Sequence, residues 1–239
     1  MSPSRLAAAL GLGALVATGG PALTTVAPLR RRMTPRLSGV GADDHIALTF
    51  DDGPDPTSTP VFLDLLARHE RRATFFVLGE HAAAQPALVR RMSDEGHEVA
   101  IHGWSHRCTA AVPPTRLGRE LSAARRTVED ITGTPVTWYR PPYGVLTTET
   151  LLATRGLDLR TVLWTAWGRD WERSATPSRI VATVLRRLRP GGTILLHDTD
   201  QHARGDWRNT LEATAALLDG HLEAANVGPL RQHWRIPTQ

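Results

Sequence analysis

Lysine is absent from this chain. All 28 basic residues are arginines, which excludes Schiff-base chemistry and a lysine nucleophile. Arginine outnumbers the 24 acidic residues and lifts the isoelectric point to about 10.4. A basic patch does not follow from that value. Many of the arginines sit in or beside expected helices, eight of them as the pairs Arg71-Arg72, Arg90-Arg91, Arg125-Arg126 and Arg186-Arg187, interspersed with Asp and Glu. Such spacing describes solvated helix faces and argues against nucleic acid as a partner. Cysteine is nearly absent too. The single Cys108 permits no internal disulfide; as a nucleophile it would need His106, two residues away, as a base, and a small buried hydrophobe is the favoured reading.

Charge of either sign is missing between Arg5 and Arg30. The first half of that stretch, LAAALGLGALVAT, resembles the apolar region of a signal peptide or a weak membrane anchor. Arg30-Arg31-Arg32 outweigh Arg5, the opposite of the asymmetry that favours export. The expected organisation is a signal-like or anchoring segment with linker over residues 1–40, followed by one catalytic domain over 41–239. A cell-envelope protein, membrane-anchored or secreted, is expected, with a cytoplasmic one as the alternative. Residues 6–29 would give weak membrane association, and the chain is expected to be a monomer.

With 239 residues and 41% hydrophobic content the chain supports one sizeable core. From residue 45 short apolar runs alternate with longer amphipathic ones. Strands are expected over His45–Phe50, Ala73–Leu78, Glu98–His102, Val136–Arg140, Leu159–Thr165 and Gly192–Leu196. Helices are expected over Thr59–His69, Gln85–Glu95, Thr115–Ile131, Thr148–Thr154, Pro177–Leu188 and Arg208–Ala225, several followed by glycine stops at Gly96, Gly133 and Gly156. Repeated strand–helix units imply parallel strands with crossovers, in an α/β barrel or a doubly wound sheet.

The residues able to do chemistry follow the expected strands. They are Asp51-Asp52, His102 to His106, Arg140 to Gly144, Asp170-Trp171 and His197-Asp198. Strand ends of a barrel converge on one face, where active sites are built. Adjacent carboxylates repel unless a cation or proton sits between them, and Gly53-Pro54 reads as the turn that lets Asp51 and Asp52 point at one site. His102 and His106 can face one metal, and an added carboxylate makes a set that leaves a position open for water. Each motif also has a plainer reading: a helix cap at Asp51-Asp52, two surface histidines, a rigid turn at Arg140-Pro141-Pro142, a cap at His197-Asp198.

Five motifs in order carry a resemblance: Thr49-Phe50-Asp51-Asp52-Gly53, His102-Gly103-Trp104-Ser105-His106, Arg140-Pro141-Pro142-Tyr143-Gly144, Asp170-Trp171 and Leu195-Leu196-His197-Asp198. Over residues 45 to 230 the chain resembles the polysaccharide deacetylases of carbohydrate esterase family 4, the NodB-homology family. The resemblance implies a distorted seven-stranded (β/α) barrel. It also implies a hydrolase that releases acetate from N-acetylated amino-sugar chains, of peptidoglycan or chitin type. O-deacetylation of the acetylxylan esterase type is the alternative within the family.

Carried over by motif, Asp52, His102 and His106 would hold a divalent metal, zinc in the first instance, with cobalt or another divalent ion as substitutes. Asp51 would be the general base, Arg140 the group that orients it and keeps it ionised, and His197 the general acid paired with Asp170. The backbone N–H of Tyr143 would hold the oxyanion, while Trp171 and Leu195 would receive the acetyl methyl. Two departures stand out: Gly103 replaces the usual Ser or Thr, and Thr165-Ala166-Trp167-Gly168-Arg169 replaces the usual acidic lead into Asp170. The second puts a long chitin-like polymer in question as the preferred substrate. The remaining histidines, His45, His69, His81, His97, His202, His221 and His233, read as structural or surface. Of the core-candidate tryptophans, Trp104, Trp167 and Trp207 lie on expected loops and could stack on sugar rings.

Overall fold

The run His45–Phe50 becomes strand β1 (Ile46–Asp51), shifted one residue forward, and it forms the centre of a parallel sheet. The computed structural model describes residues 27–234, so the charge-free stretch up to residue 26 lies outside the described residues. Among the described residues no helix is long and apolar enough to cross a membrane. Along β1 the side chains alternate. Leu48 and Phe50 pack outward toward helices, with the Phe50 ring 5.2 Å from Phe62 and 5.3 Å from Phe75. Ala47, of the opposite parity, joins Phe76, Ala100, Trp138, Val162 and Leu230 in a separate inner cluster. Thr49 and Asp51 share Ala47's face, so the inner face of β1 turns polar toward its C-terminal end.

Seven strands curl into the open barrel expected from the motifs. Besides β1 they are β2 (Thr74–Val77), β3 (Glu98–Ile101), β4 (Trp138–Tyr139), β5 (Arg160–Thr161), β6 (Ala166–Trp167) and β7 (Thr193–His197). Their spatial order is β5-β4-β3-β2-β1-β7-β6, all pairings parallel. A two-residue strand, β8 (Val227–Gly228), pairs with the start of β1. The helices are α1 (Ala27–Met33), α2 (Thr59–Arg68), α3 (Gly79–Ala84), α4 (Pro86–Asp94), α5 (Pro114–Thr132), α6 (Thr148–Gly156), α7 (Pro177–Arg187), α8 (Trp207–Ala216) and α9 (Leu230–His233). Proline stands in the first turn of α4, α5 and α7, where its missing N–H costs nothing. α5 stops at Gly133 in the left-handed conformation, φ +67°, as glycine allows.

The main departure from expectation falls in Leu159–Thr165, which forms only the two-residue β5. Val162 N–H still bonds Tyr139 O of β4, and beyond it the backbone bonds elsewhere. Leu163 N–H donates to Leu37 O, Leu163 O accepts from Arg140 Nη2 at 3.1 Å, and Trp164 O accepts from Arg30 Nη2 at 3.0 Å. A segment whose carbonyls are taken by side chains cannot extend a ladder, and the sheet stays open between β5 and β6. Arg30 and Ser38 are buried at this seam, so Arg30 and residues 37–40 pack onto the sheet while residues 32–36 stay exposed. The last expected helix, Arg208–Ala225, ends as α8 at Ala216 and continues as one wider π-type turn over Leu217–His221.

Candidate active site

Neighbouring residues on a strand point to opposite faces, so Asp51 and Asp52 could not face one site if β1 simply continued. Asp52 solves this by adopting the left-handed conformation, φ +78°, where non-glycine residues are uncommon. The redirecting residue is therefore Asp52 itself rather than Gly53. Gly53 is required for a different reason: a side chain there would strike the Asp198 carboxylate. The Gly53–Pro54 peptide is cis. His81 Nδ1 donates to Asp52 O at 3.0 Å, a brace for the unusual backbone that sequence reasoning missed.

Both carboxylates are buried, as is His102. His102, on the residue after β3, brings its Nε2 within 3.3 Å of Asp52 Oδ1, and His106 Nε2 lies 3.4 Å from the same oxygen. The ligand-capable atoms of Asp52, His102 and His106 all lie within 4.8 Å of one another. Burial lowers the pKa of His102 well below the usual value and, with neighbouring imidazoles, that of His106 to about 3. Both rings are thereby neutral, with lone pairs to offer. Asp52 Oδ1 is buried and has no hydrogen-bond partner. A buried carboxylate oxygen left unpaired between two neutral imidazoles is costly, and a divalent cation satisfies all three donors, so the residues fit a metal.

Arg140 fills the barrel interior with no exposure at all. Its Nη1 donates to Asp51 Oδ1 at 2.6 Å and to Thr49 Oγ1 at 2.8 Å, and its guanidinium lies 4.0 Å over the Phe76 ring. Thr49 Oγ1 donates onward to Ile194 O at 2.6 Å. The expectation that Arg140 holds the Asp51 pKa down is only partly met. Burial is the larger influence and raises it, with the Arg140 charge acting in the opposite sense.

Across from this pair, His197 ends β7. Its Nδ1 lies 3.2 Å from both oxygens of buried Asp170, and its backbone N–H donates to Asp170 Oδ2 at 2.7 Å. Thr210 Oγ1 completes the support at 3.3 Å. Burial opposes a charge on His197, yet the carboxylate of Asp170, with those of Asp52 and Asp51, outweighs it and raises the pKa to about 10. The ring is an imidazolium with Nδ1–H committed to Asp170, and its Nε2 lies 4.0 Å from Asp52 Oδ2. Asp198, beside it, is buried, accepts from Thr59 Oγ1, and is pushed up to about 7 by burial.

These groups open into a cleft of about 530 Å³. Tyr143 forms one wall in a left-handed conformation, φ +60°, its ring 4.6 Å from that of His106. Trp171 meets the His197 ring edge-on at 5.5 Å, and Leu195 and Trp164 also line the cleft. Every site residue expected from sequence is brought to this one place. Trp104 and Trp207 pack against the core, as their core-candidate reading expected, and Trp167 lies under Arg187 at 4.2 Å, so none of the three lines the cleft to stack on a sugar. Trp164, His202, Arg173 and Arg204 line the cleft without having been anticipated. His202 stacks on His106, ring centroids 4.6 Å apart. Cys108 is half-buried and is not among the residues lining the cleft.

Comparison with known proteins agrees with this geometry. Residues 38–162 match the family profile described as polysaccharide deacetylase. A chitooligosaccharide deacetylase of Bradyrhizobium sp. (strain ANU 289) is 40% identical over 177 residues, covering 74% of this chain and 80% of that protein. A peptidoglycan-N-acetylglucosamine deacetylase of Listeria monocytogenes is 33% identical over 178 residues, 74% of this chain and 37% of that protein. Among solved structures, the Bc1960 peptidoglycan N-acetylglucosamine deacetylase superposes with a TM-score of 0.77 at 29% identity, covering 84% of this chain and 94% of that one.

Proposed function

The chain belongs to the polysaccharide deacetylase family, and from that premise we propose how its cleft carries out the reaction. The protein is a hydrolase of carbon–nitrogen bonds other than peptide bonds. It removes N-acetyl groups from amino-sugar chains and releases acetate. A divalent metal, zinc by preference, is assigned to Asp52, His102 and His106. When bound it supplies Lewis acidity to the scissile amide carbonyl and to water.

The remaining work falls to the chain's own residues. Asp51, steadied by Arg140 at 2.6 Å, takes the proton of the attacking water; the burial that raises its pKa makes it a stronger base than an exposed carboxylate. The developing oxyanion is held by the backbone N–H of Tyr143, a contribution typically of about 3 kcal/mol. His197, charged through Asp170, gives its Nε2 proton to the leaving nitrogen. Water and amide thus become acetate and a free amine. Leu195 and Trp171, both lining the cleft, are assigned to the acetyl methyl.

The observation that carries this reading is the opposition of two differently tuned sites across one cleft: a buried base held by Arg140, and an imidazolium held by Asp170. We assign the catalytic domain to residues 41–239, seated on Arg30 and residues 37–40, acting as a monomer on glycans of the cell envelope, with the stretch before Arg30 as its signal-like or anchoring segment. Acetate release from tetra-N-acetylchitotetraose and from peptidoglycan glycan strands tests the activity. Release by the wild type and loss in Asp51→Asn is the expected result; equal release by Asp51→Asn contradicts the assignment of the base.

A further inference from the structure

The wall of the cleft beside the acid carries charge that the deacetylation chemistry does not use. Arg173 and Arg204 both line the cleft next to Trp171 and His197. They come from separate loops, which are tied together where Arg204 N–H and Gly205 N–H both donate to Trp171 O, at 2.9 and 3.1 Å. Gly205 lies so close to Asp170 O that a side chain there would collide with it, which fixes the approach of the two loops. The acids nearby are already engaged. Glu172 pairs with Arg169 at 2.8 Å, Asp206 with Arg208 at 3.3 Å, and Asp170 with His197. Neither Arg173 nor Arg204 forms an ion pair among the described residues, and both are exposed at the cleft wall, so their charges remain available to a ligand there.

We propose that this wall is a binding site for a carboxylate carried by the glycan beside the reacting N-acetyl group, making the preferred substrate an acidic N-acetylated glycan rather than neutral chitin. The proposal rests on the reading of the cleft as an N-deacetylase site. Arginine's planar donor fork suits carboxylates, and two arginines from two loops can flank one anion. The chemistry of the product points the same way. Each deacetylation of chitin leaves an ammonium on the chain, which two arginines repel, whereas carboxylates on alternating sugars offset both sets of charge.

The test compares kcat/KM at low salt for three probes of equal length: tetra-N-acetylchitotetraose, a hyaluronan tetrasaccharide bearing uronate carboxylates, and a peptide-free peptidoglycan tetrasaccharide bearing lactyl carboxylates. At least one acidic probe is expected to exceed the neutral one by about tenfold, the equivalent of about 1.4 kcal/mol; which one identifies the source of the carboxylate. In the double variant Arg173→Gln/Arg204→Gln the acidic-to-neutral ratio should fall toward one. In the wild type the same ratio should shrink at about 1 M salt, where the screening length is roughly 3 Å. A ratio is insensitive to a fraction of misfolded enzyme. Preference for the neutral probe, or a ratio unmoved by the double variant, overturns the carboxylate site alone. Acetate from none of the three overturns the deacetylase reading and this site with it.

Discussion

Arg140 Nη1 and Asp51 Oδ1 meet at 2.6 Å inside the barrel, both side chains shut off from water. The same guanidinium also holds Thr49 of β1 and the Leu163 carbonyl beyond β5, so it ties the base to both sides of the sheet. Arg140→Met removes one member of a buried ion pair, a change that typically costs about 3–5 kcal/mol. The denaturant midpoint should drop accordingly and acetate release should fall at least a hundredfold. Arg140→Lys keeps a charge but not the fork, and it should recover stability only in part.

The left-handed Asp52 makes Gly53 a second sensitive point. Gly53→Ala places a methyl against the Asp198 carboxylate and should displace Asp52 with the loop. Isothermal titration is expected to show weaker metal binding, by about tenfold or more, as is typical when a ligand's support is disturbed. Unchanged metal affinity would mean that Asp198 can move aside at no cost.

The Asp170 charge is the main influence that keeps His197 an imidazolium, with Asp52 and Asp51 acting in the same sense. Asp170→Asn removes that charge, so the His197 pKa must move down from about 10. The alkaline limb of the kcat/KM profile should then shift to lower pH, and the maximal rate should fall roughly a hundredfold or more. An alkaline limb that stays in place would exclude His197 as the acid.

Two buried histidines outside the cleft contribute to the acid limit of stability. Burial lowers His97 and His233 to about 4. The His97 ring accepts from Ala73 N–H at 3.1 Å, and the His233 ring meets His45 Nδ1 at 2.9 Å. Their folded pKa values lie below the unfolded value near 6.5, so between about pH 6.5 and 4 the unfolded chain binds more protons. Stability is therefore complete above about 6.5 and is lost as the pH falls, by up to about 1.4 kcal/mol per pH unit for each histidine. Asp198 and Asp52, raised to about 7 and about 6, act in the opposite sense, so the test is a difference. The urea midpoint of the wild type should fall more steeply from pH 7 to 4.5 than that of His97→Gln, and equal slopes contradict the neutral assignment of His97.

Much of this arrangement was legible in the residues. The alternation of Ala47, Thr49 and Asp51 with Leu48 and Phe50 marks β1, and the chemical residues follow strand ends because a barrel gathers them there. Less was legible where local pattern is short or bonding is long-range. β6 and β8 span two residues each and have no period to detect. The interruption after β5 depends on Arg30 reaching Trp164 O, 134 positions away. Asp52 takes a conformation that the adjacent Gly53 would more readily have been given. Trp164, Arg173 and Arg204 reach the cleft only through the packing of loops, which composition does not encode.

The most direct measurement is acetate release from an N-acetylated glycan by metal-stripped protein, before and after zinc is restored, with metal content determined on the wild type and on His106→Ala. The expected result is one zinc per wild-type chain, activity that vanishes on stripping and returns on restoration, and little of either in His106→Ala. Full activity in the stripped wild type, or a wild-type metal content retained in His106→Ala, would contradict the assignment of Asp52, His102 and His106 as the metal site.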